Sequence, residues 1–195
     1  MPRRSDENGS PGGAGAADID GDELFRRESR GKQACFVHVN DSMVCDESHV
    51  LYIDLGSCVS VVLCGIDEGR RAWLGANHLF KSRIENSDMA LEQVADLYHR
   101  MTDNGVLQVR CLGLFGAGYR ERSLAKDVAQ LNVRTILEAL SLFNLTVEIF
   151  QTGYAQAIRV LKSDAMESFL IQHHRIGERT SRVIEIPLEQ LFPDS

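Results

Sequence analysis

The stretch Leu55–Leu63 (LGSCVSVVL) determines how the rest of the chain is interpreted. Its second half, Val59–Leu63, is an apolar, β-branched run that fits a buried strand or the start of a buried helix. Its first half places a Gly and a Ser directly before Cys58, just after a predicted strand at His49–Asp54. A tight turn at a strand end can present a thiol, and its N–H groups can stabilise a thiolate and later an oxyanion. Cys58 is therefore a candidate nucleophile, and the alternative is a small buried Cys in a turn.

Short strands and longer helices alternate around this stretch. Apolar residues spaced by three and four predict one helix over residues 87–104 and a second over Lys126–Phe143. The capping-box spacing of Asp164 and Glu167 predicts a short third helix that ends near Gln172. The other predicted strands are Ala34–Val39, Ala72–Leu79, Gln108–Phe115, Leu145–Phe150, Ala157–Leu161 and Arg182–Ile186. This mixture predicts the α/β (α+β) class, a single domain of layered mixed β-sheets with two long helices and a short third helix.

The composition excludes several classes of protein. The chain has 195 residues, of which 44% are hydrophobic, and its net charge is −7, as expected for a soluble globular protein. The acidic balance argues against binding to nucleic acid or to an anionic membrane surface. No segment approaches the ~20 apolar residues of a membrane span, and no apolar run follows Arg3 and Arg4 as in a secretory signal. Five cysteines without a C-x-x-C pair predict reduced thiols in a cytoplasmic protein rather than a disulfide framework or a zinc site.

The first 32 residues differ from the rest of the chain. They are rich in Gly, Ala and charged residues and contain few large apolar side chains. Such a segment buries too little surface to offset its ordering entropy, so we expect a disordered tail over residues 1–32 and a folded domain over 33–195. A short partner-binding stretch at Asp22–Arg27 is an alternative for part of this tail.

A thiol nucleophile needs a base, and the sequence offers six histidines. His78 lies at the end of a predicted strand, where a neighbouring strand end can bring it beside Cys58. His99 lies on a predicted helix and is expected at the surface. His173 and His174 are expected near the C-terminus of the predicted third helix, where a cation is favourable. Residue chemistry alone leaves the choice of base open.

A glycine cluster, Gly113–Gly118 (GLFGAG), superficially suggests a phosphate loop. It lacks the Lys-Ser/Thr pair of a P-loop and the G-x-G-x-x-G order of a dinucleotide site. We interpret it as a tight backbone turn beside the candidate site.

Four segments together resemble the chemotaxis protein family CheD. Leu55–Leu63 resembles the family signature LGSCV-V-L, and Gly75–Leu79 (GANHL) is similar to its GGMNHF segment. Leu114–Gly118 (LFGAG) is similar to its FGGA segment, and Gln130–Val133 (QLNV) resembles its helix start IGERNV. The order and approximate spacing agree, and the resemblance covers about residues 34–160.

The resemblance implies an enzyme that deamidates chemoreceptor glutamines to glutamate, without a metal or cofactor, on a layered fold similar to cytotoxic necrotizing factor catalytic domains. It implies Cys58 as the nucleophile, His78 as the base, a chemoreceptor as the substrate and a CheC-like phosphatase as a partner. The family's third catalytic residue, a Thr, corresponds to Tyr52, which is thus a candidate orienting residue. From the turn itself, N–H groups around Ser57 and Val59 are candidate oxyanion donors.

Two other classes of function remain open. The first is a non-catalytic CheD-like module that docks to a phosphatase or a receptor, because Tyr52 is much bulkier than Thr. The second keeps the chemistry but directs it at a non-receptor protein, as a toxin or effector would.

Overall fold

The protein is described by a computed structural model that covers residues 20–80, 87–118 and 125–193. Two five-stranded sheets form its centre, with strand orders β1-β3-β8-β9-β10 (sheet A) and β2-β5-β4-β6-β7 (sheet B). The elements are α1 Gly21–Glu28, β1 Gln33–Phe36, β2 Ser42–Asp46, β3 His49–Leu55, β4 Val59–Asp67, β5 Ala72–Asn77, α2 Ser87–Asp103, β6 Val106–Gly116, α3 Ala125–Leu142, β7 Val147–Thr152, β8 Gln156–Ser163, β9 Ser168–Arg175, β10 Arg182–Pro187 and α4 Leu188–Leu191. The predicted class of layered mixed sheets is confirmed.

The two sheets pack face to face over one apolar core, and β4 shows how. Alternate residues of β4, such as Val62 and Cys64, join this inter-sheet core together with Ile53 of β3. The intervening residues, such as Val61 and Leu63, belong to a second core on the opposite face of sheet B. Because successive side chains of a strand point to opposite faces, β4 is buried on both faces. That explains its nearly continuous apolar sequence.

The two long helices cover the outer face of sheet B. Leu97 and Met101 of α2 and Ile136 of α3 are fully buried in the second core. Gly75 lets α2 approach the sheet, since a Cβ there would lie 2.8 Å from the Met101 Sδ. Both predicted helices are therefore confirmed. Within the described ranges, no helix has the length and apolarity to cross a membrane.

The predicted third helix at 164–172 is wrong. Residues 164–167 form a turn, and Ser168–Arg175 is strand β9, which pairs with both β8 and β10. Phe169 lies in the inter-sheet core, and Leu170 is buried on the opposite face of sheet A. The local capping signal is overridden because this apolar run is buried on both faces of a sheet. His173 and His174 consequently lie on a strand, not near a helix terminus.

The prediction of disorder over residues 1–32 is wrong for residues 20–32, and residues 1–19 lie outside the described part of the chain. Helix α1 begins after Asp20, whose carboxylate accepts a hydrogen bond from the Asp22 N–H at 3.3 Å. Phe25 is only 3% exposed and packs on the outer face of sheet A. Asp22 accepts a hydrogen bond from the Gln172 amide at 2.6 Å. The stretch Asp22–Arg27 therefore packs against sheet A of its own chain. The average composition of residues 1–32 does not reveal this contact.

Candidate active site

Cys58 and His78 come from two strand ends that pair with each other. The residues that follow them, Val59 and Leu79, exchange both backbone hydrogen bonds, at 2.9 and 2.8 Å. Val59 and Leu79 face the helices, so Cys58 and His78 face the inter-sheet side. In this antiparallel register the two are diagonal neighbours, whose typical separation of ~7–8 Å is within reach of long side chains.

The turn that presents Cys58 is held by the glycine cluster. The Ala117 N–H donates to the Cys58 carbonyl at 2.7 Å, and the Gly118 N–H donates to the Gly56 carbonyl at 3.2 Å. Gly116 has a φ of +96°, and a Cβ there would lie 2.2 Å from the Cys58 carbonyl oxygen. Only glycine fits this close approach of two backbones. Residues 113–116 of the cluster are the end of strand β6, and Ala117 and Gly118 follow it, so the cluster lies beside the candidate site as the sequence predicts but is a turn only in its last part.

The backbone around residues 37–41 fixes the His78 ring. Its Nδ1 lies 3.2 Å from the Val37 carbonyl oxygen, which can only accept, so we assign the ring proton to Nδ1. The Val37 N–H in turn donates to the Tyr52 carbonyl at 3.0 Å. The His78 N–H donates to the Asp41 carbonyl, and its carbonyl accepts from the Asn40 N–H. Nε2 therefore carries the lone pair, and it is buried without a hydrogen-bond partner in the described part of the chain.

Burial sets the charge state of both groups. Cys58 is 7% exposed and His78 is 4% exposed. Burial raises the pKa of the Cys58 thiol, and burial lowers the pKa of His78 against the opposing effects of the Val37 hydrogen bond and the Asp54 charge. No hydrogen bond joins the two residues among the contacts described. At neutral pH the pair is thus a neutral thiol and a neutral imidazole. It is not the thiolate that the N–H groups of this turn could stabilise.

The Tyr52 side chain does not orient His78. It lies on the outer face of sheet A, where it stacks on Phe36 at 5.0 Å between ring centroids and lies under the Arg159 guanidinium. Its backbone carbonyl contributes instead, by holding the Val37 peptide that binds the ring. The orienting group is the Val37 carbonyl, which the sequence analysis missed because every residue carries a carbonyl.

Val59 is not an oxyanion donor, because its N–H is already bonded to the Leu79 carbonyl. Ser57 lies in the exposed part of the turn. Among the residues described, no backbone acceptor takes the N–H of Ser57 or of Cys58. These two N–H groups remain the candidates for stabilising an oxyanion on a carbon attacked by Cys58.

Two further buried polar side chains lie at this end of the sandwich: Gln156, which the sequence did not indicate, and His173, which was expected near a helix terminus. Gln156 pairs with Leu55, the last residue before the turn that presents Cys58. The Gln156 Oε1 is buried without a hydrogen-bond partner in the described ranges. His173 pairs with Ile158 and packs against the Tyr154 ring at 5.6 Å between centroids. A single buried glutamine at the start of a strand has no sequence signature. His99 is exposed on α2, as the sequence predicts.

We expect the free energy of unfolding to fall as the pH is lowered below about 6.5, the ordinary pKa of histidine. Burial lowers the pKa of both His78 and His173, so the unfolded chain binds more protons and stability rises with pH. Between its folded and unfolded pKa, each group contributes a slope of at most ~1.4 kcal/mol per pH unit. The stability it contributes is present above the unfolded pKa and is lost as the pH falls through the folded one.

Urea unfolding at several pH values between 7.5 and 5 measures this slope. His173→Gln should reduce it, because burial lowers the pKa of His173 in the folded protein. An unfolding free energy that stays constant over this window contradicts the assignment of neutral, buried imidazoles.

Comparison with known proteins gives no family for this chain. No family model matches it, and no curated protein matches it. Among solved structures it is similar to the C-terminal domain of CNFy from Yersinia pseudotuberculosis, with 7% sequence identity and a TM-score of 0.33 over 78% of this chain and 61% of that one. The chain thus spans about three fifths of the length of that structure. A likeness this distant supports no inference about function, so the resemblance to CheD rests on the sequence motifs.

Proposed function

We propose that the protein is a cysteine-dependent protein-glutamine deamidase, with Cys58 as nucleophile and His78 as base. One observation supports this proposal most strongly. The His78 Nδ1–H is bound to the Val37 carbonyl, so the lone pair of Nε2 is free on the face of the sheet that Cys58 shares. The choice of chemoreceptor glutamines as substrate, and of a CheC-like phosphatase as partner, rests on the motif resemblance.

The proposed reaction has two halves. His78 Nε2 takes the proton of the Cys58 thiol while the sulfur attacks the side-chain carboxamide carbon of a glutamine. The N–H groups of Ser57 and Cys58 stabilise the oxyanion, and the imidazolium gives its proton to the departing ammonia. His78 then activates a water that cleaves the thioester, which releases glutamate and the free thiol. Each turnover adds one negative charge to the substrate.

The raised pKa of Cys58 determines how the first step proceeds. A thiol that is protonated at neutral pH must lose its proton as the sulfur attacks, not before. The lowered pKa of His78 keeps the imidazole in its basic form at neutral pH. The arrangement therefore suits general-base catalysis within the bound complex rather than a preformed ion pair.

The direct test incubates the protein with a chemoreceptor cytoplasmic domain and, separately, with unfolded casein. Mass spectrometry of the substrate peptides detects conversion of glutamine to glutamate. Deamidation of the receptor supports the full proposal, and deamidation of casein alone supports the chemistry but not the receptor substrate. No deamidation of either substrate contradicts the proposal.

We expect the iodoacetamide reaction of Cys58 to accelerate with pH and to continue rising above pH 9, because only the thiolate reacts and burial raises its pKa. His78→Asn should leave this profile nearly unchanged, since no ion pair with His78 holds the thiolate. The rate is followed by mass spectrometry of the labelled peptide. A plateau reached below pH 7 would show a preformed thiolate and contradict the charge state argued above.

The burial of Cys58 and the lack of a direct hydrogen bond to His78 favour a second candidate, a non-catalytic module that docks to a receptor or phosphatase. Binding of the receptor domain, measured by calorimetry for the parent and for Cys58→Ala, separates the two functions. Equal binding without deamidation by either protein supports the module.

A further inference from the structure

Apart from the candidate active site, a pair of thiols lies at the open edge between the two sheets. Cys35 is on β1, the edge strand of sheet A, and Cys45 is on β2, the edge strand of sheet B. Both residues belong to the inter-sheet core, and both line the same cavity at this edge. Strands β1 and β2 lie against each other at this edge, so a disulfide between the two thiols would join the two sheets.

Solvent reaches the pair through a cavity of about 380 Å³. Cys35 and Cys45 line it together with Asp46 and His49, whose Nδ1 lies 2.9 Å from the Asp46 Oδ1. Among the described residues, no group of three or more His, Cys, Asp and Glu side chains has the geometry of a metal site. A small polar reagent that enters the cavity therefore meets two thiols and a histidine-carboxylate pair.

The two thiols differ in acidity. The hydrogen bond from Cys45 lowers the pKa of Cys35 to about 7, with help from His49 and against burial and the Asp41 charge. The same hydrogen bond, together with burial, raises the pKa of Cys45. Cys35 is thus the more acidic thiol of the pair and the better nucleophile near neutral pH, and Cys45 is the thiol that stays protonated, which is the division of roles in a redox-active pair.

We propose that Cys35 and Cys45 form a redox-modifiable dithiol site, which hydrogen peroxide in the edge cavity converts to a disulfide. The Cys35 thiolate attacks one peroxide oxygen, an S–O bond forms, the O–O bond breaks, and the hydroxide that leaves is protonated to water. The Cys45 sulfur then attacks the sulfenic acid sulfur, the S–S bond forms, the S–O bond breaks, and this hydroxide takes the Cys45 proton. Two thiols are oxidised, one peroxide is reduced, and two waters form.

The loop that this disulfide would close is the one that positions His78. The Val37 carbonyl, the Asn40 N–H and the Asp41 carbonyl, all between the two cysteines, make the hydrogen bonds to His78 described above. Formation of the disulfide is therefore expected to shift the backbone groups that hold His78. The dithiol site itself does not depend on the proposed function of Cys58.

The test treats the full chain with hydrogen peroxide, blocks free thiols, and digests with trypsin plus a protease that cleaves before Asp. This places Cys35 in peptide 33–40, Cys45 in 41–45, and Cys58 with Cys64 in 54–66. We expect a cross-linked pair of the first two peptides, lacking two hydrogen atoms and separated by reduction, while Cys64 stays free. Blocked, unlinked Cys35 and Cys45 after oxidation of Cys58 would overturn the proposal.

Two further measurements address the roles of the pair. In Cys45→Ser, peroxide should leave Cys35 as a sulfenic acid that dimedone traps, and Cys64→Ala is the matched control that should still form the disulfide. ¹⁵N NMR of the His78 ring should show a shift on oxidation of the parent protein. An unchanged ring signal in the disulfide form contradicts the link to His78, whatever the catalytic activity.

Discussion

Cys58→Ala is expected to lower the rate of glutamine deamidation on the order of 10⁴-fold or more, as removal of a covalent nucleophile does. The matched control is Cys64→Ala, because Cys64 lies on the strand that follows Cys58 and on the same inter-sheet face but is fully buried. That variant should retain the parent rate. Initial rates come from mass spectrometry of the substrate, with folding of each variant checked by circular dichroism.

His78→Asn belongs to the same experiment and should reduce the rate by about 10²–10⁴-fold, the usual contribution of a general base. Substrate binding should be unchanged, so the loss should appear in kcat. Equal deamidation by the parent and by folded Cys58→Ala assigns the activity to another residue.

Gly116→Ala is expected to destabilise the protein by about 2–4 kcal/mol, through a strained backbone and overpacking. An alanine at position 116 would have to adopt a φ of +96°, and its Cβ would lie 2.2 Å from the Cys58 carbonyl oxygen. Because the Ala117 N–H bonds to that same carbonyl, the change should also displace Cys58. Urea unfolding measures the first effect, and the deamidation rate in folded protein measures the second.

Gly56→Ala is the control for this prediction. Gly56 lies in the same pair of turns, but a Cβ there would meet no atom within 4 Å. This change should alter the unfolding free energy by less than ~0.5 kcal/mol. Equal destabilisation by the two changes contradicts the role given to Gly116 in holding the turn.

Much of the fold could be predicted because its strongest signals are local. The run Val59–Leu63 is apolar at every position except Ser60, as a strand buried on both faces requires, and the helices α2 and α3 show the spacing of one buried face. Strand β2, which the sequence analysis did not predict, alternates weakly and is short. Its pairing with β5 gives it a structure that its own residues do not specify.

The two wrong predictions about the fold share one physical cause. The turn at 164–167 carries a helix-start signal, and residues 20–32 have a composition typical of disorder. In both places a few apolar side chains decide the outcome through distant contacts: Phe169 and Leu170 in β9, and Phe25 in α1. A window along the sequence cannot contain these partners.

The candidate site was predictable in its residue types but not in its electrostatics. Cys58 follows from the turn, whereas only the resemblance to CheD selects His78 among the six histidines. The structure places both residues on one face. The orienting group is a backbone carbonyl of Val37, and the Val59 N–H is consumed by pairing. Burial then sets the charge of each group, and the depth at which a side chain lies depends on the packing of both sheets.

The formation of a thioester at Cys58 is most directly tested by adding hydroxylamine to the deamidation reaction. Hydroxylamine competes with water for a thioester, so part of the product should become a glutamyl hydroxamate, recognised by its mass, and Cys58→Ala should form none. Deamidation that yields only glutamate at saturating hydroxylamine, or hydroxamate formed equally by Cys58→Ala, would contradict the account.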